Sequence, residues 1–321
     1  MSIELVPFAR QHIPAAAEMV ATRCRALCER VPVFPPRYTE PETLAAMLAN
    51  HPPGAAALRG GRLVGFLVAY AGGEFRGKGS VYCPEWGHAA EEGGASRIYQ
   101  AMYTHLAREW MSRGLVVHTI SAPAHDRPCI ETWHWLGFGF VGGDALRSLE
   151  SVPGPAKLDV RRAGPSDAGV VAELVLALTD HLHDSPTFLA YDAGPDLRLT
   201  YEGLLADPSV AIWLAEKERE AVGYLKLVPS DQADSSPMVR DPGTISITGA
   251  YVRPDVRGRG VASRLLDRGI AWARECGYVR CAVDFETMNG PAARFWTRHF
   301  ALVSLSLMRY SDERLAGQNA P

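Results

Sequence analysis

Two spacings of apolar residues run through the chain, one near 2 and one near 3.6, and together they predict its elements. The second half is the clearer. Leu158–Arg161 alternates as a short strand, and Ser166–Thr179 has helical spacing with Ser166 placed as its N-cap. A polar stretch, DHLHDSPTFLAYDAGPD, leads to a second helix over Leu197–Ala206. VAIWLAE and EAVGYLKLV read as a hairpin around the charged turn Lys217–Glu220, and Asp231–Pro242 as a polar, mobile loop. The strand TISITGAYV runs directly into VRPDVRGRG. A helix over Gly260–Cys276 follows, with Val261, Leu265, Ile270 and Ala273 on one stripe and Gly277 as its stop. YVRCAVDFE gives a strand, Gly290–His299 a helix and Leu302–Met308 a last strand.

The first half repeats this grammar in the same order. IELVPFARQHIPAAAEMV from Ile3 parallels LDVRRAGPSDAGVVAELV from Leu158. GGRLVGFLVAY (Gly60–Tyr70) parallels KEREAVGYLKLV (Lys217–Val228), and TWHWLGFGFV (Thr132–Val141) parallels FWTRHFALV (Phe295–Val303). ESVPGPAK (Glu150–Lys157), with two prolines and a glycine, breaks the periodicity between them. A tandem duplication is expected, with domains over 1–150 and 157–310 and a flexible tail over 311–321. Each domain is α/β (α+β), with a mixed, largely antiparallel central sheet flanked by helices.

At 321 residues, 47% hydrophobic and 21% charged, the chain reads as two ordinary globular domains. A net charge of −3 gives no general attraction to nucleic acid, so any basic site is local. The longest apolar runs are of strand length, and MSIELVPFAR lacks the order of a signal peptide; no membrane partner and a cytoplasmic location are expected. The six cysteines include no CxxC pair and read as reduced thiols. His181-Leu-His183 has the look of a metal cluster, but residues i and i+2 of a helix face apart, and no metal site is expected.

The sharpest chemical signal is the strand-to-helix junction at Arg257-Gly258-Arg259-Gly260. The first N–H groups of a helix lack intrahelical partners and lie at the positive end of its dipole. Glycines let a ligand approach those amides, and arginines add charge, so the turn suits a pyrophosphate. A plain helix N-terminus with solvated arginines has the same pattern. The GxxxxGK[ST] spacing is absent, as is GxGxxG within a βαβ unit, which disfavours nucleoside triphosphatases and Rossmann dehydrogenases.

Arg257-Gly258-Arg259-Gly260-Val261-Ala262 fits the R/Q-x-x-G-x-G/A signature of the GCN5-related N-acetyltransferase (GNAT) superfamily. Asn289-Gly-Pro-Ala-Ala-Arg-Phe-Trp resembles its N-x-x-A-x-x-F-Y signature, and Val283-Asp284-Phe285 stands for its L-E-V. The resemblance covers 157–310, and TWHWLGF in the first half is similar to the family's FYxxLGF. It implies two tandem GNAT-like domains, acetyl-CoA as cosubstrate and transfer of its acetyl group to an amine by direct attack. By resemblance, Arg257, Gly258, Arg259, Gly260, Val261, Ala262 and Ser263 would wrap the pyrophosphate. Tyr251, Val252 and Arg253 would pair with the pantetheine amides, the Val252 N–H would polarise the thioester carbonyl, Asn289 would bond the pantetheine arm, and Ala292 and Phe295 would line its exit. Asn289 also reads as a helix N-cap.

An ammonium must lose a proton before it attacks, and Glu286, then Asp284, on alternate positions of one strand, are the candidate bases; they also read as a surface pair. The family's tyrosine that protonates the thiolate is Trp296 here, with Trp133 at its counterpart, so Tyr251, water or simple release of the thiolate would serve instead. Glu91-Glu92 replace the arginines in the first half, and Asp126 stands for Asn289; the carboxylates would repel pyrophosphate and occupy the helix end, leaving a degenerate domain that binds no CoA. Its Trp86, His88, Trp133, His134 and Trp135 suit an aromatic wall or a packed core. His183, Asp184 and Tyr191 are weak candidates for substrate contact. The acceptor is read as a small-molecule amine, with a protein or peptide amine, or a non-catalytic CoA-binding module, as alternatives. The protein would be a monomer or homodimer.

Overall fold

The computed structural model describes residues 3–152, 158–190, 194 and 196–317. Tyr191, most of the break after Glu150 and the last four residues of the tail lie outside them. Two compact units divide the chain: Met1–Gly143 with Ser236–Met238 and Leu302–Pro321, and Asp144–Ser235 with Val239–Ala301. These limits differ from 1–150 and 157–310. The last strand of each half is assigned, wholly or in part, to the other half's unit, a non-local pairing that hydrophobic periodicity does not encode.

Unit 1 is built from β1 (Glu4–Pro7), α1 (Ile13–Arg30), α2 (Pro41–Ala49), β2 (Gly54–Arg59), β3 (Arg62–Val68), β4 (Tyr70–Phe75), β5 (Lys78–Cys83), β6 (His88–Ala90), α3 (Ala95–Ser112), β7 (Val117–Pro123), α4 (Arg127–Trp135) and the start of β8 (Gly139–Ser148). One sheet has the order β1-β2-β3-β6. In the other, β5 pairs with β7 in parallel from Ser80↔Val117 to Cys83↔Ile120. The core gathers Tyr99, Met102, Trp110, Ile120 and Trp133. Trp86, His88 and Trp133 are buried, but Trp135 is 83% exposed and His134 is exposed, so the five rings form no single wall.

Unit 2 continues with β9 (Asp159–Arg162), α5 (Ala168–His183), α6 (Leu197–Ala206), β10 (Ala211–Lys217), β11 (Glu220–Pro229), β12 (Thr244–Val252), α7 (Val261–Glu275), β13 (Arg280–Glu286) and α8 (Gly290–His299). Its strands run in the order β13-β12-β11-β10-β9, antiparallel except β12 with β13. The α5 helix begins after a 3-10 turn closed by Asp167, not Ser166, whose carboxylate accepts from the Gly164 N–H at 2.8 Å and pairs with Arg161. It also runs past Thr179 to His183, since no breaker intervenes before Pro186. Gly269 lets α7 settle on β11: a Cβ there would lie 2.9 Å from Leu225 and Leu227 carbons.

Strand β14 (Ala301–Tyr310) returns to unit 1, where it pairs antiparallel with β7 from Ser304↔Pro123 to Tyr310↔Val117. The described part of the tail is anchored there too. Lys78 pairs with Glu313, and the Gly317 N–H donates to Met111 O at 3.0 Å. The expected polar loop over Asp231–Pro242 buries Ala233, Met238 and Val239. Within unit 1 its Pro237 carbonyl accepts from the Tyr38 hydroxyl at 2.6 Å. Apolar residues inside a polar stretch supply the anchorage that composition hides.

Candidate functional site

Strands β12 and β13 pair only from Thr244↔Arg280 to Ile247↔Val283, and both then continue without each other, to Val252 and Glu286. A register shift against β11 sets the departure, because Ile247 faces Leu227 while Gly249 faces Lys226, so Thr248 is an extra residue. Its hydroxyl is buried with no hydrogen-bond partner among the described residues. The Arg253 N–H donates to Val222 O at 2.9 Å toward β11. Strand alternation therefore turns the Val252 N–H to the opposite edge, the one that β13 has left.

At the end of this gap the chain turns through Gly258 and Gly260, with φ of 76° and 81°, conformations natural only to glycine. Nothing lies within 4 Å of where a Gly258 Cβ would be, so the turn is open above its backbone. No side chain caps α7 at Gly260. The adjacent Arg257 is fixed: its Nε donates to Val252 O at 2.9 Å and its guanidinium lies 5.6 Å from the Tyr251 ring centroid.

Gap and turn open into one cavity of about 490 Å³. Tyr251, Val252, Arg257, Gly258, Gly260, Val261, Ala262, Ser263, Asn289, Ala292 and Phe295 line it. Arg253 and Arg259 do not: Arg253 is held at the surface by Glu220 and Asp255, and Arg259 is exposed. Asn289 caps α8, accepting from the Ala292 N–H at 3.4 Å, while its flank faces the cavity.

Neither Asp284 nor Glu286 lines the cavity. Asp284 keeps solvent access although protein crowds most of its sides, and that crowding, with Asp234 nearby, raises its carboxyl above the usual range. His183 and Asp184, at the helix end, are exposed and outside the lining. His181 lines it instead, with Leu178 one turn earlier, Tyr224, Trp296 and Arg298. Helical spacing relates Leu178 to His181 as i, i+3, but the register of α5 against β12 was needed to show which face turns inward.

Unit 1 has the corresponding turn at Gly94, where α3 also starts without a side-chain cap. Glu91 does not occupy that helix end as expected. Its carboxylate is taken by Arg62, with Arg59 at 3.8 Å, and this pairing holds it below the usual range. Asp126 caps α4 as Asn289 caps α8, accepting from the Cys129 N–H at 3.1 Å.

Residues 175–301, which carry the splayed parallel strands and the glycine turn, match the acetyltransferase (GNAT) family. Across the whole chain the fold is that of GNAT proteins. A GCN5-related N-acetyltransferase from Sphaerobacter thermophilus is similar over 96% of this chain and 95% of its own, with 14% identity and a TM-score of 0.56. A GCN5-related glucosamine N-acetyltransferase region of a fungal multi-domain GH3 β-N-acetylglucosaminidase matches 96% of this chain and 38% of that one, at 12% identity and a TM-score of 0.51. A tandem GNAT protein from the clavulanic acid biosynthesis pathway covers 97% and 99%, at 15% identity and a TM-score of 0.46. No curated protein matches the sequence. Among the described residues no helix is long and apolar enough to cross a membrane, and no group of three metal-ligating side chains occurs.

Proposed function

We propose that unit 2 binds acetyl-CoA in this cavity and transfers the acetyl group to a primary amine of a small molecule. The observation that carries the reading is the cavity's composition: an uncapped helix N-terminus, an open glycine turn and Arg257 at one end, and a strand edge released by its neighbour along the side. The donor supplies an activated acetyl thioester. The chain's own groups do the rest. Backbone N–H groups from Gly258 to Ser263, with Arg257 beside them, hold the pyrophosphate. The Val252 N–H points to the edge where a thioester carbonyl would gather negative charge, and a fixed amide stabilises that charge without reorganising. Asn289, Ala292 and Phe295 bound the pantetheine arm, and Trp296 lines the cavity beside them. With an indole there in place of a phenol, the departing thiolate takes its proton from water or from the Tyr251 hydroxyl.

Calorimetric titration with CoA tests the reading first. Wild-type protein binds it, and Arg257→Glu, which reverses the charge beside the amides, loses binding by at least ~100-fold, about 2.7 kcal/mol. CoA release from acetyl-CoA over a panel of primary amines then tests transfer. Absence of CoA binding would sink the assignment altogether. Tight binding without release on any amine would reduce the unit to a CoA-binding module.

A further inference from the structure

We infer that the His181 imidazole accepts the proton of the attacking ammonium. This deepens the proposed transferase reading and rests on it. Among the described residues lining the cavity, His181 is the one histidine, and no aspartate or glutamate lines it. It stands on the inward face of α5 with Leu178, its ring centroid 6.4 Å from that of Tyr251, a ring that the Arg257 guanidinium also approaches at 5.6 Å. His183, two residues on, points away from the cavity and is exposed.

The charged and titratable neighbours come from each element packed around the ring. Arg257 and Tyr251 belong to the turn after β12 and to β12, Tyr224 to β11 and Asp184 to the end of α5 itself, while Tyr201 of α6 shares the core of α5 and carries the Lys226 ammonium of β11 over its ring. Burial, then the Arg257 charge, lowers the imidazole's pKa from 6.5, against an upward pull from Asp184. The ring is therefore neutral at pH 7 and free to take a proton.

The step balances. The ammonium gives a proton to His181, the amine nitrogen forms its bond to the acetyl carbon, and the C–S bond breaks with its electron pair going to sulfur. The second amine proton passes to water as the amide forms, the thiolate takes one from water, and the imidazolium returns its own to solvent, so one proton is released in all.

Carbethoxylation with diethyl pyrocarbonate, mapped on peptides by mass spectrometry, tests the placement with CoA as the probe and no acceptor. His181 is labelled in the free protein, and saturating CoA slows its labelling at least about tenfold, while exposed His105 reacts at an unchanged rate. Equal labelling of His181 in protein shown by calorimetry to bind CoA overturns the inference; failure to bind CoA removes instead the function beneath it. The role is then tested with His181→Gln and the amine giving the most CoA release. The variant keeps the CoA affinity, loses about 100-fold in kcat, and loses the acidic limb that wild type shows below pH 6.5. Retained kcat, or a retained limb, overturns the inference.

Discussion

The two units line the same opening with different atoms. Gly65 pairs with Ala90 as Gly223 pairs with Val252, so His88 stands where Ala250 does. Matching Ala17-Glu18-Met19-Val20 to Ala172-Glu173-Leu174-Val175 puts Arg23 at the place of Leu178, and counting from Gly94 and Gly260 puts Tyr99 at that of Leu265. Ala250, Leu178 and Leu265 all line the cavity of unit 2. Their counterparts fill the gap in unit 1. His88 Nε2 donates to the Ser121 carbonyl at 2.9 Å, so its Nδ1 accepts from the Tyr99 hydroxyl at 3.1 Å, tying β6 to β7. Arg23 donates to His88 O at 2.6 Å and pairs with Asp126 at 3.0 Å. Trp133, fully buried, packs against both rings, its centroid 5.3 Å from Tyr99 and 6.1 Å from His88. A shared frame thus yields a slot where the lining is small and apolar, and a solid core where it is large and polar but internally bonded.

The most damaging way to test the comparison is to move the plug. Ala250→His with Leu265→Tyr puts the side chains of unit 1 into the slot of unit 2, where the cavity gives them room. CoA affinity is expected to fall at least ~1,000-fold, about 4 kcal/mol, with an unchanged circular dichroism spectrum. Near wild-type binding in a folded double variant would break the equivalence of His88 and Tyr99 with Ala250 and Leu265.

Next in size is the removal of the plug's charge. Arg23→Met keeps volume but leaves Asp126 and the His88 carbonyl without their cation. The pair is part-buried, with side chains 13% and 23% exposed, so breaking it from one side costs about 2 kcal/mol, less than for a fully buried pair, read as a lower urea midpoint for unit 1. Arg23→Met with Asp126→Asn is expected to recover much of it, since no uncompensated charge then remains. A single variant as stable as wild type would show that the pair contributes little.

Acid separates the units more gently. Burial holds His88 down to about 3 and His118 to about 4, and His118 repeats the same bonding, Nε2 to the Leu115 carbonyl and Nδ1 to the Tyr103 hydroxyl. Both folded values lie below the unfolded 6.5, so the unfolded chain binds more protons and stability is full above pH 6.5 and lost as pH falls toward the folded values. Each histidine removes about 2 kcal/mol between neutral pH and pH 5. In His118→Gln the slope of unfolding free energy with pH in that range drops by about one proton. An unaltered slope contradicts neutral burial of the ring.

What could be read from sequence follows the range of the interaction. The glycine–arginine turn and its helix are contiguous, and so are Asn289 and α8; local spacing places them correctly, and counting back from Trp133 finds Asp126 at the matching cap. His181 escaped because its value depends on α5 running one turn beyond Thr179 and on which face meets β12. Arg23 escaped because its partners His88 and Asp126 lie 65 and 103 positions away, beyond any periodicity (23 to 88 and 23 to 126). The assignment of β14 to unit 1 is a pairing between strands from opposite halves, and repeated halves give no sign of which copy each strand joins.

Glu91 provides the finest test, because two explanations for a closed first unit meet there. If acidic repulsion at the turn excludes a pyrophosphate, Glu91→Ala should admit a second CoA per chain. If the packed side chains exclude it, nothing opens. The Glu91 carboxylate is committed to Arg62 at a partly exposed position, where an ion pair contributes at most ~0.5 kcal/mol. Glu91→Ala is therefore expected to leave the melting temperature nearly unchanged, the CoA affinity of unit 2 unchanged and the stoichiometry at one. A stoichiometry of two would transfer the cause from the His88–Tyr99–Arg23 plug to the charge at the turn.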